Sequence, residues 1–339
     1  MFYKTVYLIE GDIEMNKVSL PFNINPPLQC YLGQAYPLGI IFAQNEAKCY
    51  PWLFNYYYTF KYIKILNTDA LMLEPNPQCN WFYSVDLFSF YEMRLPFCTI
   101  DKETIYTIVK NMMQQGYYCV GEFNEKYIPG YSSYKRHDFQ HPFLIYEFDF
   151  YESVVSCAGY AQDGFYKEIK IKFHDFYSGL INTDKLCLNF VRLNEEFNYD
   201  CFDVEKFVVE LNNYISSFIG NLEDKGLIAI NQLKNYLLNL EKSGFDIDLR
   251  AIYVFHEHKF LMYKRLEYML SKSLLKNVSS INSYNDIVIK SQKLKGMALK
   301  YNAIRNPDII DRIVDQINEI NNQESNILRQ VLDEIGKNI

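Results

Sequence analysis

The chain is short of the residues that build metal sites and membrane spans. It has five histidines, none at ligand spacing from a cysteine, and its eight cysteines include no C-x-x-C pair. A zinc site is therefore not expected, because structural zinc needs closely spaced Cys and His ligands. No stretch approaches the roughly 18 uncharged apolar residues that a bilayer-crossing helix requires. The N-terminal run MFYKTVYLIEGD meets Glu10 and Asp12 before it reaches the length of a signal peptide. Basic residues are outnumbered, 34 Lys and Arg against 41 Asp and Glu, for a net charge of −7. General nucleic-acid binding, which needs a basic footprint, is argued against. There is no internal repeat and no low-complexity tract. Together these absences predict a soluble cytoplasmic protein with neither membrane nor nucleic acid as partner.

In a reducing compartment an even cysteine count carries no disulfide message. Cysteines 30, 49, 79, 98, 119, 157, 187 and 201 are read mainly as small buried hydrophobes. A reactive one among them has to be recognised by its surroundings.

What the sequence does have is apolar material, 49% of 339 residues, with 30 Tyr and 25 Phe. The aromatic excess is read as compositional bias in an Asn- and Lys-rich chain. At this length two domains are expected. Residues 1–190 mix helix and strand, and residues 191–339 read as all helical. After Pro26-Pro27, QCYLGQAYPLGIIFAQ predicts a helix that begins near Cys30 and is disturbed at Pro37. Asp101 caps a second helix, ETIYTIVKNMMQQ, with Ile105, Ile108, Val109 and Met112 at helical spacing and Gly116 at its end. The period then becomes extended through GYYCVGEF, HPFLIYEF, ESVVSCAGYA and FYKEIKIKF. The last two are joined at Gln162-Asp163-Gly164, a hairpin signal. HDFYSGL, from His174, predicts a short closing helix. Beyond residue 200 five segments show the 3.6-residue period: Asp203 to Leu211, Leu227 to Leu240, Ile252 to Leu275, Ile287 to Leu299 and Ile309 to Ile335. The last is amphipathic enough to pack in cis or to pair with a second chain.

Cys30 is the candidate nucleophile. It stands at a predicted helix start behind a rigid Asn-Pro-Pro-Leu-Gln segment, where the helix N-terminus and an imidazolium can lower a thiol pKa from about 8.5. Backbone N–H groups there, helped by Gln29, Asn25 or Asn23, can form an oxyanion site. Among the histidines His141, opening the strand HPFLIYEF, is the best candidate base. His137 lies in a polar loop, His174 begins a helix, and His256 and His258 fall in the helical part.

A Cys-Tyr at the first helix, then GYYCVGEFNEKYIPGYSSY, then HPFLIYEFD and a hairpin through Cys157-Ala-Gly-Tyr resembles the papain-like domains of the butirosin-biosynthesis-protein-H type. Asp248-x-Arg250 followed by HEHKFLMYKRL is similar to a helical extension that some of these proteins carry. The resemblance implies an α+β fold, with a papain-like helix and antiparallel sheet in residues 1–190 and a helical domain in 191–339 for acceptor binding, docking or oligomerisation. It further implies an acyltransferase or amide synthase of natural-product biosynthesis. That enzyme takes an acyl group from the 4′-phosphopantetheine thioester of an acyl or peptidyl carrier protein onto Cys30 and passes it to a small amine. No cofactor of its own and no metal is implied. A cysteine peptidase or amidase, and a non-catalytic carrier-binding scaffold, are the alternatives. The sequence departs from the papain pattern in two places. SVVSCAGYA lacks the Asn or Asp that would orient the imidazole, leaving Asp149 and Asp163 as the nearest carboxylates, and no Gln precedes the nucleophile by several residues. Between Lys259 and Lys300 nine Lys or Arg face only Glu267 and Asp286, a basic stretch suited to an acidic carrier.

Overall fold

The computed structural model describes residues 16–63, 70–73, 87–94, 100–184, 186–194, 201–243 and 245–337. The N-terminal run read above and Cys79 and Cys98 lie outside the described residues. In chain order the elements are β1 (Lys17–Ser19), α1 (Leu32–Phe42), α2 (Glu46–Leu53), β2 (Phe60–Ile63), β3 (Ala70–Leu73), β4 (Phe88–Arg94), α3 (Lys102–Gln114) and β5 (Tyr118–Asn124). A 3-10 turn over Glu125–Tyr127 follows, then β6 (Gln140–Asp149), β7 (Val154–Tyr160), β8 (Tyr166–Lys172), α4 (Phe173–Ile181) and β9 (Cys187–Leu193). The chain ends with α5 (Val204–Ser216), β10 (Phe218–Ile219), β11 (Glu223–Lys225), α6 (Leu227–Ser243), α7 (Leu249–Ser271), α8 (Val278–Ile304) and α9 (Pro307–Ile335). Among the described residues no helix is long and apolar enough to cross a membrane.

The described residues fall into two compact units. One draws on Met1–Ile24 and Phe88–Leu193, the other on Asn25–Leu87 and Asn194–Ile339. The expected division at 190/191 therefore corresponds only to the second crossing between them. Residues 25–87, with Cys30, α1 and α2, belong with the C-terminal helices, because the apolar faces of that segment are buried against them.

The first unit is a seven-stranded antiparallel sheet in the order β4-β9-β5-β6-β7-β8, with β1 on β6. The four expected strands lie side by side as β5 to β8. Strand β6 is long enough to pair with β5 over 140–145 and with β1 over 147–149. The β7–β8 hairpin turns at Gly164, whose φ of +77° is the left-handed conformation that the Asp-Gly signal anticipated. Helix α3 begins where Asp101 accepts the Thr104 N–H at 2.8 Å and stops before Gly116 at φ +84°. It and α4 cover one sheet face through Ile105, Val109, Met113, Phe176 and Leu180, against Cys119, Phe143, Ile145 and Cys157. Rings interlock inside: Phe143 stacks on Phe123 at 5.3 Å and meets Phe176 edge-on at 5.0 Å.

The second unit is mainly helical but not entirely so. Strands β10, β11, β2 and β3 form a four-stranded antiparallel sheet, which corrects the expectation of an all-helical 191–339. These strands are two to four residues long, too short to stand out from turn sequence. Helices α5, α7, α8 and α9 each begin at an Asp or Asn whose side chain accepts a first-turn N–H: Asp203, Asp248, Asn277 and Asn306. Helix α1 runs through Pro37 without a break, so the expected disturbance does not end it. The apolar stripe of α9, Ile310, Ile313, Ile317, Ile320, Leu328 and Val331, is buried within the unit.

Charge is also buried in this unit. Arg265 is inaccessible and donates to the carbonyls of Phe54, Tyr56 and Tyr57, where the chain leaves α2 and Tyr57 takes φ +58°. A guanidinium at a helix C-terminus satisfies carbonyls that the helix leaves unpaired. Glu324 accepts from Lys259 Nζ, from Tyr214 Oη at 2.9 Å and from Tyr284 Oη, and His258 Nδ1 lies 3.9 Å away. Lys259 and Arg265 therefore do not belong to a basic docking face. Lys295 is half-buried over the Tyr253 ring, at 4.4 Å. Among the other basic residues of that stretch, Lys264 pairs with Glu267 and Lys290 with Glu319.

Candidate functional site

His141 belongs to the first unit and Cys30 to the second. In the first unit, β5 pairs with β6 so that Phe123 faces His141 and Asn124 faces Gln140. The chain then turns at Glu125, which places that residue diagonally across from His141. Glu125 is 3% exposed, and its Oε1 lies 2.6 Å from His141 Nδ1, a close polar approach that does not make a hydrogen bond to that nitrogen. Four hydrogen bonds fix the turn. Asn124, itself buried, donates to Asp138 Oδ1 at 2.8 Å and to the Asn182 carbonyl at 3.1 Å, and accepts from the Lys126 and Phe139 N–H groups. Helix α4 approaches this turn closely at Gly179: a Cβ there would meet Ile128 Cδ1 at 2.6 Å and the Asn124 carbonyl at 3.2 Å. Aromatic rings border the imidazole, Phe139 at 5.4 Å and Tyr131 at 6.4 Å.

A carboxylate facing Nδ1 favours the tautomer that carries its proton there. The lone pair is then on Nε2, free to take a proton. Glu125 is thus the carboxylate nearest the His141 ring nitrogen, a neighbour that sequence reasoning did not identify. Asp149 and Asp163 do not fill that role: Asp149 accepts the Glu152 N–H in the β6–β7 turn, and Asp163 accepts the Phe165 N–H and pairs with Lys167. The signal for Glu125 was available in the register. Pairing GYYCVGEFN with QHPFLIYEF antiparallel brings the residue after Asn124 beside the histidine.

In the second unit α1 begins at Leu32 with Tyr31 as its N-cap, so Cys30 precedes the first turn. Cys30 is 3% exposed. Its N–H and that of Gln29 both donate to Glu257 Oε1 on α7, at 2.9 and 2.7 Å, and its Sγ lies 3.3 Å from the Arg250 carbonyl. Burial pushes the Cys30 thiol well above its usual pKa, and the Glu257 charge pushes it the same way. The sequence expectation was the opposite, a thiol lowered by the helix end. It fails here because desolvation of a buried thiolate outweighs a helix terminus that starts one residue further on. Burial also raises Glu257, to about 7, against its two N–H donors and the Lys295 cation, and lowers Lys295 itself. Glu257 Oε2 has no hydrogen-bond partner among the described residues, and neither does either amide atom of the fully buried Gln34 on α1. Of the polar neighbours expected to help, Gln29 contributes its backbone N–H, while Asn25 is exposed.

The remaining histidines are accounted for separately. His137 is exposed with Ser133 Oγ at 3.4 Å, and His174 is exposed beside Asp175. His256 Nδ1 meets Ser291 Oγ at 2.9 Å and is held down to about 3, first by burial and then by Lys295. His258 is fully buried with Nε2 3.0 Å from the Tyr58 carbonyl. No protein-family model and no curated protein sequence matches the chain.

Proposed function

We propose that the chain is a cysteine-dependent acyltransferase of papain-like ancestry that forms amides from carrier-bound thioesters. The observation that carries this reading is the buried Glu125 carboxylate 2.6 Å from His141 Nδ1. A carboxylate close to one imidazole nitrogen, with the other nitrogen left for proton transfer, is what a Cys–His mechanism asks of its base.

In the proposed reaction Cys30 Sγ attacks the thioester carbonyl as its proton passes to His141 Nε2. The tetrahedral intermediate collapses with release of the phosphopantetheine thiol, which takes that proton. The amine then attacks the Cys30 thioester, His141 receives its proton, and amide formation returns the free thiol. Exchange of a thioester for an amide runs downhill, so no nucleotide is consumed. Hydrolysis competes for the same intermediate, and the burial of Cys30 suits a site that keeps water away. The acyl group arrives on an acyl or peptidyl carrier protein, and a small amine, such as a diamine, accepts it.

Intact-mass spectrometry with acyl-pantetheine and several acyl thioesters of different chain type tests the reading. The wild type should gain one acyl mass, Cys30→Ala none, and His141→Ala should load about 100-fold or more slowly, as general-base loss does. Adding a diamine should discharge the adduct as an amide. Discharge by water alone would make the protein an amidase or peptidase instead. If no thioester loads the wild type, the protein acts as a scaffold.

A further inference from the structure

Glu257 is out of place for a merely structural acid. It is 5% exposed, yet only one of its oxygens is used, and that oxygen accepts two backbone N–H groups, of Gln29 and of Cys30 itself. Two converging N–H groups beside a nucleophile form the arrangement that stabilises an oxyanion. Resting on the acyl-transfer reading above, we infer that Glu257 is a built-in regulator of Cys30, its carboxylate occupying the N–H pair that the thioester oxyanion must take. The carboxylate has to give up the two hydrogen bonds before a thioester carbonyl can be seated, and its displacement also removes the negative charge that opposes thiolate formation. Activation by substrate and protection from stray electrophiles then follow from one group.

The charged surroundings fit such a switch. Cys30 and Tyr31 face Glu257 from the segment before α1, Lys295 faces it from α8, and Tyr253 and the Asp248–Arg250 pair stand on α7 itself. Strand β3, which also packs on α7, has no titratable side chain. Lys295 is the cation placed to compensate the carboxylate, and burial raises Glu257 to about 7, so that it is only partly ionised near physiological pH. A modest push therefore suffices to neutralise or move it.

Glu257→Gln keeps an acceptor for both N–H groups and removes the charge. The test is the rate of iodoacetamide alkylation at each cysteine of the full-length protein at pH 7.5, read by peptide mapping. Cys49, buried on α2 in the same unit, reports any general opening. The expected result is faster alkylation of Cys30, on the order of tenfold for each pKa unit released, with Cys49 unchanged. Glu257→Ala, which also vacates the N–H pair, should alkylate at least as fast. An unchanged or slower Cys30 in Glu257→Gln, or a rise matched at Cys49, overturns the inference. Because alkylation needs no acyl transfer, a wild type that accepts no acyl group would defeat the proposed function while this comparison still decides the role of Glu257.

Discussion

The two units solve the burial of polar groups in opposite ways. In the first, the interior is a ring-on-ring core of Phe123, Phe143, Phe148, Phe173 and Phe176 between sheet and helices. Its buried polar side chains are few and include Asn124 and Glu125, at the turn that holds His141. In the second, ionisable groups run through the middle: Glu257, His258, Lys259, Arg265 and Glu324 are all buried on its helices. An aromatic core is insensitive to pH and tolerates no lost volume. A charged core tolerates no lost partner and answers to pH. The difference predicts which perturbations each unit will feel.

The largest effect should come from breaking the Glu324 cluster. Lys259→Met leaves a buried carboxylate with only hydroxyl donors and an imidazole held neutral, and should cost about 3–5 kcal/mol. Urea unfolding followed by hydrogen exchange should place the loss in the second unit, and adding Glu324→Leu should recover most of it. Phe143→Ala should cost a comparable amount, about 3–5 kcal/mol, but in the first unit and equally at pH 5 and pH 8. Arg265→Met, which strips three carbonyls of their donor, should cost roughly 2–3 kcal/mol and loosen the exit from α2. A loss in Lys259→Met of less than about 1 kcal/mol would mean the charged cluster contributes little.

Acidification sharpens the comparison. His256 and His258 are depressed by burial, so the stability they contribute is present above their ordinary value of 6.5 and is lost as pH falls, for His256 toward about 3. Glu257 has the opposite sign. Its folded pKa is raised from 4.5 to about 7, so its contribution is complete below 4.5 and is lost as pH rises through 7. Hydrogen exchange between pH 6.5 and pH 4 should therefore show amides of α7 and α8 losing protection before those of β5 and β6, and Glu257→Gln should flatten the loss on the alkaline side. The smallest effect is at a helix end: Asp101→Ala removes the N-cap bond to Thr104 and should cost about 1 kcal/mol, confined to α3.

Where local chemistry decides structure, the sequence was readable. Asp101, Gly116 and the Asp163-Gly164 turn fixed their elements because caps and left-handed glycines act over a few residues. The strands β5 to β8 were legible from their period, and α6 to α9 from theirs. Helix α8 begins at Val278, well before Ile287, because its polar first turns, Ser279, Ser280 and Asn282, conceal the stripe until Asn277 is seen to cap it. The assignment of residues 25–87 to the helical unit was not legible, since it depends on pairing β2 with β11, more than a hundred residues apart. The candidate site was half legible. His141 and Cys30 could be named from position and type, and Glu125 followed only from register. Glu257 carried no local signal at all: its role arises from a hydrogen bond to Cys30 across a separation of 227 residues. Lys259 and Arg265 looked like solvated helix charges, and only tertiary packing shows that they are internal partners.

The most direct measurement is the single-turnover rate of acyl loading, with the adduct located by peptide mapping, in wild type, Cys30→Ala, His141→Ala and Glu125→Gln. The account predicts an adduct on Cys30 alone, none in Cys30→Ala, and slower loading in both base-half variants, with Glu125→Gln reduced about 10-fold to 100-fold, as loss of an orienting partner does elsewhere. An adduct on exposed Cys201, or loading indifferent to both His141 and Glu125, would contradict it.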